Sequence, residues 1–445
     1  MKYSIVTMSI LLALGIQFPV QAADLVDVYH AAQSQDAVFA SARAARQAGE
    51  EKLTQGRSLL LPSVTFNANT TSNDVTIDYG TASPIFVSGG MRYNTHGYGV
   101  NLVQPLFREQ NWAAYNQSEL QVAISEAQFK LAEQDVILRS AQTYFDVLIA
   151  QDTVQLTAAQ KTAIAEDLDQ AKHNFEVGSA TVTDTYEAQA RYDLIVAQEL
   201  AAASNLEIKR RTLQKLINAD VNDLNALSGA FKLETPDPAD IQKWVNVSQQ
   251  GNFQIVQAEA AYQLAEQEVA RSRGGNLPTV DLVASYGSSI ATGGVFGATD
   301  TRSTAIGVQL NIPLFQGGSI QSRWREAEAN RERARQDLEN TRRNVELQTR
   351  QAYLGVVSGI AQVQALQQAL TSSESLLDAS KVGHEVGVRT NLDVLNAQQQ
   401  LFSTKRDLYQ AQYSYLLSQL RLKAAAGNLA EADIVGVNRS LHQTQ

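Results

Sequence analysis

FEVG at residues 175–178 recurs as HEVG at residues 384–387, which lies 209 residues further along the chain. The same offset aligns three other pairs of identical residues: Tyr144 with Tyr353, Thr181 with Thr390, and Asp184 with Asp393. Matches at one steady offset over this distance indicate that the chain contains two copies of one unit.

Proline-containing motifs mark the same landmarks in each copy. Leu61-Pro62 matches Leu277-Pro278 at an offset of 216, and Pro105-Leu106-Phe107 matches Pro313-Leu314-Phe315 at an offset of 208. The first copy therefore has eight extra residues between these landmarks, which we place in a longer loop. We assign residues 23–229 to a first structural repeat, residues 230–427 to a second, and residues 428–445 to a C-terminal segment.

The first 22 residues have the pattern of a secretory signal peptide. Lys2 precedes a short apolar run from Ile5 to Ile16, and Val20-Gln21-Ala22 suits a cleavage site. The mature chain is therefore expected outside the cytoplasm. Because the sequence contains no Cys, disulfides cannot stabilise it, and its net charge of −10 argues against nucleic acid as a partner.

A pair of short strands is predicted in each copy, over about residues 63–104 and 279–312. Apolar residues alternate there with polar or small ones, which indicates strands that have one apolar face. Proline is expected at each strand–helix junction, because it can neither continue a helix nor donate to a ladder. Pro62 and Pro278 are predicted to end the helices before the strands. The Pro-Leu-Phe motifs that begin at Pro105 and Pro313 are predicted to end the second strands.

Long helices are predicted after the strands, over about residues 109–215 and 319–426. Residues 319–381 contain no proline, and at ~1.5 Å per residue they would extend roughly 90 Å. Apolar and small residues recur at alternate spacings of four and three from Ala352 to Leu377, which is typical of coiled-coil packing. The returning segment from Asn391 to Ala426 has two adjacent apolar stripes and hence a wide buried face.

A tight turn is predicted between the two long helices of each copy. Gly178 and Gly387 are expected just past a helix end, where glycine adopts the left-handed conformation without a Cβ clash. Thr181 and Thr390 suit the N-cap of the returning helix. The tip turns comprise two residues from each copy: Val177, Gly178, Val386 and Gly387. Each copy thus contains a long helical hairpin.

Shorter segments complete each copy. Helical stretches rich in Ala, Gln and Glu precede the strands, over residues 24–58 and 239–273. Residues 218–240 and 427–441 are more mixed in composition. We expect these two mixed segments to form a belt of irregular structure beside the long helices.

The predicted fold is mainly α with a small β part, arranged as a twofold repeat. Four strands per chain cannot close a barrel, and an open sheet in lipid leaves backbone groups unpaired at a cost of several kcal/mol each. Two chains would supply eight strands, whose interior is filled by side chains, and three would supply twelve, which can leave a lumen. For a water-filled pore, the strand count favours a trimeric 12-strand β-barrel.

The order and doubling of these motifs resemble the TolC family of outer-membrane efflux and type I secretion proteins, over nearly all of the mature chain. The tip sequence from Glu385 to Ala397, and residues 174–184 of the first copy, are most similar to the family pattern. The resemblance implies a homotrimer with a barrel in the outer membrane and a periplasmic α-helical tunnel. It also implies a passive conduit that docks with a periplasmic membrane-fusion adaptor and an inner-membrane ABC or RND-type pump.

The same resemblance implies where the closed entrance is held. A tip latch network corresponds to four residues here: Thr183, Asp184, His384 and Arg389. An entrance constriction corresponds to Asp393. His384 stands where better-known members have tyrosine, and Asn396 stands where they have a second aspartate. We therefore expect one carboxylate ring, weaker block by multivalent cations than in a two-ring relative, and a latch that can respond to pH.

Structural interpretations of these positions stay open beside the functional ones. Asp184 and Asp393 each lie three residues after a threonine, which is also the spacing of a helix-capping box. Arg389 could be a solvated tip residue, and a lone His384 is often incidental.

No enzymatic activity, cofactor or metal site is predicted. The sequence has no HExxH, GxSxG or P-loop, no GxGxxG after a strand, and five histidines without metal-ligand spacing. The main alternative is a surface or periplasm-spanning coiled-coil structural protein or adhesin, which the heptads permit but the strand hairpins disfavour. Whether the cargo is a protein, a drug or another small molecule stays open.

Overall fold

The protein is described by a computed structural model over residues 23–80, 88–221, 223–227 and 232–441. These ranges contain four strands: β1 (Ser63–Ile77), β2 (Gly89–Phe107), β3 (Thr279–Ala291) and β4 (Thr299–Asn311). They also contain nine helices: α1 (Leu25–Gln35), α2 (Ala37–Ser58), α3 (Glu109–Glu176), α4 (Val182–Ile217), α5 (Ile241–Gly251), α6 (Phe253–Gly274), α7 (Ser319–Glu385), α8 (Asn391–Ala426) and α9 (Glu431–Asn438). The predicted signal peptide, residues 1–22, lies outside the described residues.

The order of the elements confirms the predicted internal repeat. Two helices, two strands and two long helices follow one another from α1 to α4, and again from α5 to α8. The long helices pair into two hairpins, α3 with α4 and α7 with α8. With 68 residues in α3 and 67 in α7, each extends about 100 Å at ~1.5 Å per residue.

Each predicted helical stretch before the strands is present and is broken once. The breaks fall at Asp36 and Asn252, which occupy equivalent places in the two copies. Each residue ends one helix and begins the next, because its extended backbone turns the chain while its side chain accepts a hydrogen bond from the new helix. Asp36 also forms an ion pair with Arg139 of α3 at 2.7 Å, which fixes this bend against the long helix.

The four strands form one antiparallel sheet in the order β1-β2-β3-β4. In the first copy β2 continues through Pro105 to Phe107, so the strand ends with the Pro-Leu-Phe motif as predicted. Pairing with β1 stops at Val103, and the register with β3 shifts just after Pro105. Proline is tolerated at this position because the ladder is already one-sided and irregular. In the second copy β4 ends at Asn311, before Pro313.

The helices continue the lateral order of the strands. Helix α2 packs on α3, α3 on α6, and α6 on α7, so α2 and α7 are outer helices just as β1 and β4 are outer strands. Helix α8 contacts α3 as well as α7, which joins the two hairpins. The predicted heptad pattern is confirmed, because Val356 and Val363 are buried and Gly359 lies against Tyr415.

The largest apolar cluster lies between the long helices and the short helices α1 and α9. Tyr144 and Leu148 of α3 belong to it, together with Tyr413 and Leu420 of α8. The predicted belt is only partly irregular, because residues 431–438 form the helix α9. The sequence hides this helix since it is only 8 residues long, and its stability comes from packing rather than from its own pattern.

Candidate channel wall and entrance

One face of the sheet is apolar. A row of apolar residues runs in register across all four strands: Val64, Leu102, Ala284 and Ile306. The next row places Phe66, Val100 and Tyr286 side by side on the first three strands. Phe66 is 67% exposed and Ile306 is 77% exposed in the single chain. An exposed apolar band of this kind suits hydrocarbon rather than water.

The opposite face of the sheet is polar and lined by small residues. Two neighbouring rows have this character: Asn67, Gly99, Gly287 and Ser303, and Asn69, Gly97, Ser289 and Thr301. Gly287 leaves no room for a side chain, because a Cβ there would lie 2.8 Å from the carbonyl oxygen of Tyr98. One face thus suits lipid and the other suits water, as the wall of an aqueous channel requires.

The two outer strands have free edges. Within the described residues, β1 pairs only with β2 and β4 pairs only with β3. These strands are 15 and 13 residues long. Such an edge in a membrane leaves N–H and C=O groups unpaired unless another chain supplies a strand. The sheet of one chain is therefore a segment of a wall.

An ion pair ties the sheet to the long helices where the two repeats meet. Arg108, the residue before α3, donates through both Nε and Nη2 to the carboxylate of Asp281 on β3, with an Nε–Oδ1 distance of 2.8 Å. The Asp281 side chain is buried, whereas that of Arg108 is partly exposed. The two-pronged geometry fixes the direction in which α3 leaves the sheet.

The backbones of the two hairpin tips are alike. Gly178 and Gly387 both have a φ of +76°, in the left-handed region that favours glycine. In the first tip Ser179 and Ala180 donate their N–H groups to Asn174, and in the second the equivalent donors bond to Gly383. The sequence prediction of two matching tight turns is therefore confirmed.

A capping box begins the returning helix of each hairpin. The Asp184 carboxylate accepts hydrogen bonds from the N–H and the hydroxyl of Thr181, both at 2.8 Å. The Asp393 carboxylate accepts the same pair from Thr390, at 2.9 and 2.8 Å. The Thr-x-x-Asp spacing thus has a structural role in both copies, whatever further role Asp393 has.

Asp393, the predicted constriction residue, is partly exposed near the second tip. Hydrogen bonds from Thr390 lower the pKa of Asp393, and the guanidinium of Arg389 lies 3.8 Å from its carboxylate. A carboxylate with these donors stays ionised at neutral pH. The stem of Arg389 crosses Gly383, where a Cβ would lie 2.7 Å from its Cγ, so this glycine makes room for the arginine.

The predicted latch residues lie at the two tips without contacting one another. In the part of the chain that the structure describes, Thr183 and Asp184 make no hydrogen bond or ion pair to His384 or Arg389. The latch therefore stays a prediction, and in an assembly it would involve contacts that one chain does not make.

An arginine that the sequence prediction missed joins the two hairpins. Arg191 of α4 donates to Asn396 Oδ1 at 2.6 Å and to Gln399 Oε1 at 2.8 Å, and both acceptors are on α8. Helical spacing indicates that residues 396 and 399 share a face of α8, but it does not indicate which distant side chain they meet.

A carboxylate of the first hairpin was also missed. Burial raises the pKa of Asp167 on α3, while Gln398 of α8 and the ammonium group of Lys381 on α7 act in the opposite direction. Side chains of the second hairpin therefore act on this carboxylate of the first hairpin. The sequence offered one indication that Asp167 lies near a buried surface. The next residue, Leu168, is apolar and belongs to a buried cluster.

The described residues include neither a helix with the length and apolar character of a membrane span nor a group of three or more His, Asp or Glu side chains that could hold a metal ion. An open groove between α3, α4 and α8 has a mixed lining that includes Ile164, Arg191 and Phe402.

Comparisons with known proteins agree with this architecture. The family model described as outer membrane efflux protein matches residues 28–219 and 244–428, which are the two repeats. The chain is 31% identical to the outer membrane protein TolC of Escherichia coli over 432 residues, covering 95% of this chain and 85% of TolC. It is also 31% identical to the alkaline protease secretion protein AprF of Pseudomonas aeruginosa, over 92% of this chain and 85% of AprF.

Solved structures show the same fold. VceC of Vibrio cholerae superposes with a TM-score of 0.77 at 20% identity, over 91% of this chain and 96% of VceC. The CmeC outer membrane channel of Campylobacter jejuni gives a TM-score of 0.77 at 17% identity, over 99% of this chain and 98% of CmeC.

The chain belongs to the outer membrane efflux protein family. It is an outer-membrane channel component for efflux or secretion, so the predicted family, location and general function are confirmed. The alternative of a coiled-coil adhesin is not favoured, because the similarity covers the strands and the helices of both repeats alike.

Proposed function

We propose that three copies of this chain form the channel-tunnel of a tripartite export system. The observation that carries the proposal is the four-stranded sheet, which has an apolar face, a polar face and two free edges. Three such sheets joined edge to edge give twelve strands, enough to enclose a lumen. The outer helices α2 and α7 would meet between neighbouring chains, directly below the β1–β4 junctions, and continue the wall as a helical tunnel.

The hairpin tips supply a surface for an adaptor. Val177 is 63% exposed, Val386 is 67% exposed and Val388 is 76% exposed, although the turn geometry does not require apolar residues. Small apolar knobs at the end of a tunnel suit contact with a coiled-coil partner. We infer that a periplasmic membrane-fusion adaptor contacts these tips and that an inner-membrane ABC or RND-type pump supplies the energy.

The chain is proposed to be a conduit without chemistry of its own. Its relatives carry the names of channel, efflux and secretion proteins. Two protease secretion proteins, AprF and PrtF of Dickeya chrysanthemi, match more than nine-tenths of this chain, at 31% and 28% identity. The toluene efflux protein TtgC of Pseudomonas putida matches 69% of it at 24% identity. This contrast supports protein secretion as the first export activity to test.

The second tip is proposed to carry the entrance constriction. Three copies of Asp393 around a symmetry axis would form one carboxylate ring, kept ionised by Thr390 and Arg389. Asn396 supplies no second ring. A network of Thr183, Asp184, His384 and Arg389 between neighbouring tips would then hold the ring closed.

Conductance of the purified protein in planar bilayers tests both parts of this proposal. Asp393→Asn is expected to raise the concentration of hexaamminecobalt(III) needed for half block by about tenfold, the change that ~1.4 kcal/mol of lost attraction produces. Asp407→Asn is the control, because this exposed carboxylate of α8 pairs with Arg406 away from the tip and should leave the block unchanged. Equal effects would contradict the ring at Asp393, whereas wild-type protein without channels would contradict the conduit itself.

A further inference from the structure

Exposed charges of both signs lie on the two outer helices, just below the sheet. Glu51 and Lys52 are exposed on α2, and Arg325 and Glu326 are exposed on α7. In the part of the chain that the structure describes, Glu51, Arg325 and Glu326 form no ion pair or side-chain hydrogen bond. Lys52 reaches only Gln55 on its own helix, at 3.3 Å. These four charges are therefore free to meet another chain.

The internal repeat supplies a template for that meeting. In the lateral order α2-α3-α6-α7, α3 corresponds to α7 and α6 corresponds to α2, so the contact of α3 with α6 indicates how α7 of one chain meets α2 of the next. The helix breaks at Asp36 and Asn252 give the offset of 216 for α2 and α6. The buried residues Ser118 and Ala327 keep the offset of 209 for α3 and α7.

Two side-chain hydrogen bonds join α3 to α6 in the template. Asn116 donates to Gln267 Oε1 at 3.3 Å. Gln117, the next residue of α3, donates to Glu268 Oε2 at 2.8 Å. Both donors are neutral amides, so the contact within a chain contains no ion pair at these positions.

The equivalent positions between chains carry opposite charges. The offsets relate Asn116 and Gln267 to Arg325 and Glu51, and they relate residues 117 and 268 to Glu326 and Lys52. A cation on α7 therefore faces an anion on α2 of the next chain, and the adjacent pair has the reverse polarity. Two complementary pairs side by side give the two faces a matching charge pattern.

The charge pattern also specifies how the two helices align. A slide of one helical turn in either direction would place Arg325 opposite uncharged residues of α2, at 47–48 or at 54–55. Ala44 and Ala48 are exposed on the same helix and leave room for the side chains of α7. One alignment thus satisfies both charge pairs.

The contact between chains lacks the ion pair that joins helix to sheet within a chain. Asp281 corresponds to Thr65 by the offset of 216, and Arg108, which follows the first Pro-Leu-Phe motif, corresponds to Gln316 after the second. Neither Thr65 nor Gln316 carries a charge. The pairs on α2 and α7 are therefore the charged links that the repeat places at this seam.

We propose that Glu51 and Lys52 of one chain bind Arg325 and Glu326 of the next, so that the partner of these two helix faces is a second copy of this chain. The inference rests on the proposed function, since it takes three chains to form a closed ring. No covalent connection aligns α7 with α2 of the next chain, and the two ion pairs set that alignment. Each exposed pair contributes little by itself, but the two pairs recur at three seams.

Charge reversal and charge exchange test the first pair. Trimers purified in detergent are warmed, and the rate at which they dissociate is followed by size-exclusion chromatography. Glu51→Arg is expected to dissociate roughly tenfold faster than wild type, because repulsion from Arg325 recurs at all three seams. Adding Arg325→Glu should bring the rate back to within about twofold of wild type, since the exchange restores opposite charges.

A matched control and the second pair sharpen this test. Glu50→Arg makes the same change of charge one residue earlier, but Glu50 pairs with Arg46 on its own helix at 2.9 Å, on the side of α2 that faces α3. It should leave the dissociation rate unchanged. Glu326→Lys should accelerate dissociation in the same way as Glu51→Arg, and Lys52→Glu in the same chain should reverse that effect.

Crosslinking tests the alignment directly. The chain has no Cys, so a short bismaleimide can link only cysteines that are introduced. Glu51→Cys with Arg325→Cys is expected to join neighbouring chains, whereas Glu51→Cys with Asn340→Cys should not, because residue 340 lies roughly 22 Å further along α7. A Glu51→Arg trimer as stable as wild type, an exchange that restores nothing, or linkage through residue 340 instead of 325 would overturn the inference. Wild-type protein that forms no trimers would instead count against the proposed function.

Discussion

The two copies of the repeat are alike at their hairpin tips and differ in the middle of their long helices, α3 and α7. Gly178 and Gly387 have the same φ, and the same capping box follows each of them. Tyr144 and Tyr353 are also equivalent by sequence, but Tyr144 is completely buried whereas Tyr353 is only partly so. Identical residues at equivalent positions therefore acquire different environments from the segments that cover them.

The covering segments explain this difference. The hydroxyl of Tyr144 donates to the carbonyl of Asn225 at 2.8 Å, in a segment that also bridges to the start of the described chain at Ala23. Burial raises the pKa of Tyr144, which stays neutral at any physiological pH. The hydroxyl of Tyr353 donates instead to the carbonyl of Ala239 at 2.9 Å, near solvent. The two repeats thus have equivalent long helices, but the segment around Asn225 covers Tyr144 completely and leaves Tyr353 partly exposed.

The largest expected effect is a stability difference between the two tyrosines. Tyr144→Ala should destabilise the protein by about 3–5 kcal/mol, as truncation of a fully buried aromatic residue does, and Tyr353→Ala by clearly less. Thermal or denaturant unfolding of the purified variants, followed by circular dichroism, measures both. Equal losses would show that the belt does not create the asymmetry.

A smaller loss of stability, equal in the two copies, is expected from substitutions at the hairpin tips. Gly178→Ala and Gly387→Ala should each cost about 1–2 kcal/mol, because a Cβ is unfavourable at a φ of +76°. Gly436→Ala in α9 is the control, since a Cβ there meets open space and alanine favours a helix, so no loss is expected. Unequal losses at the two tips, measured by the same unfolding assay, would contradict the likeness of their backbones.

The smallest expected effect is a pH-dependent change in stability at Asp152. This residue of α3 accepts a hydrogen bond from Tyr413 of α8 at 3.0 Å. Burial raises the pKa of Asp152 above its usual 3.8, although the bond from Tyr413 opposes this. A raised folded-state pKa gives stability that is present at low pH and is lost as pH rises through that pKa. Asp152→Asn should therefore match wild type near pH 3 and melt at a higher temperature near pH 7.

Unfolding midpoints measured across this pH range check the sign of the Asp152 effect. Asp407→Asn serves as the control, because Asp407 is exposed beside Arg406 on a single helix. A pH-independent difference between Asp152→Asn and wild type would mean that burial of the charge is not its cause.

Sequence predicted the parts of this fold that depend on local chemistry. The heptad stripes, the glycine turns and the strand alternation each follow from residues a few positions apart, so their pattern is visible in the chain. The breaks at Asp36 and Asn252 had a local signal too, because both residue types favour N-caps, but the surrounding helical composition masked it.

The site was less predictable because its contacts join distant parts of the chain. Arg191 and Asn396 are 205 residues apart and meet only once both hairpins have packed. The apolar periodicity identified the buried face of α8. It did not identify Arg191 as the residue that bonds to the polar side chains beside that face. The effect of Gln398 and Lys381 on the pKa of Asp167 likewise depends on how the first hairpin packs on the second, which no spacing in either repeat encodes.

The free edges of β1 and β4 also affect how the protein is made. Until three copies meet, each new chain carries two long unpaired strands, which are templates for pairing with wrong partners. Strand β1 has the composition of such a template, since its sequence SVTFNANTTSNDVTI contains no Pro or Gly and one charged residue. Both edges are protected only when neighbouring chains pair, so productive assembly competes with mispairing until the wall closes.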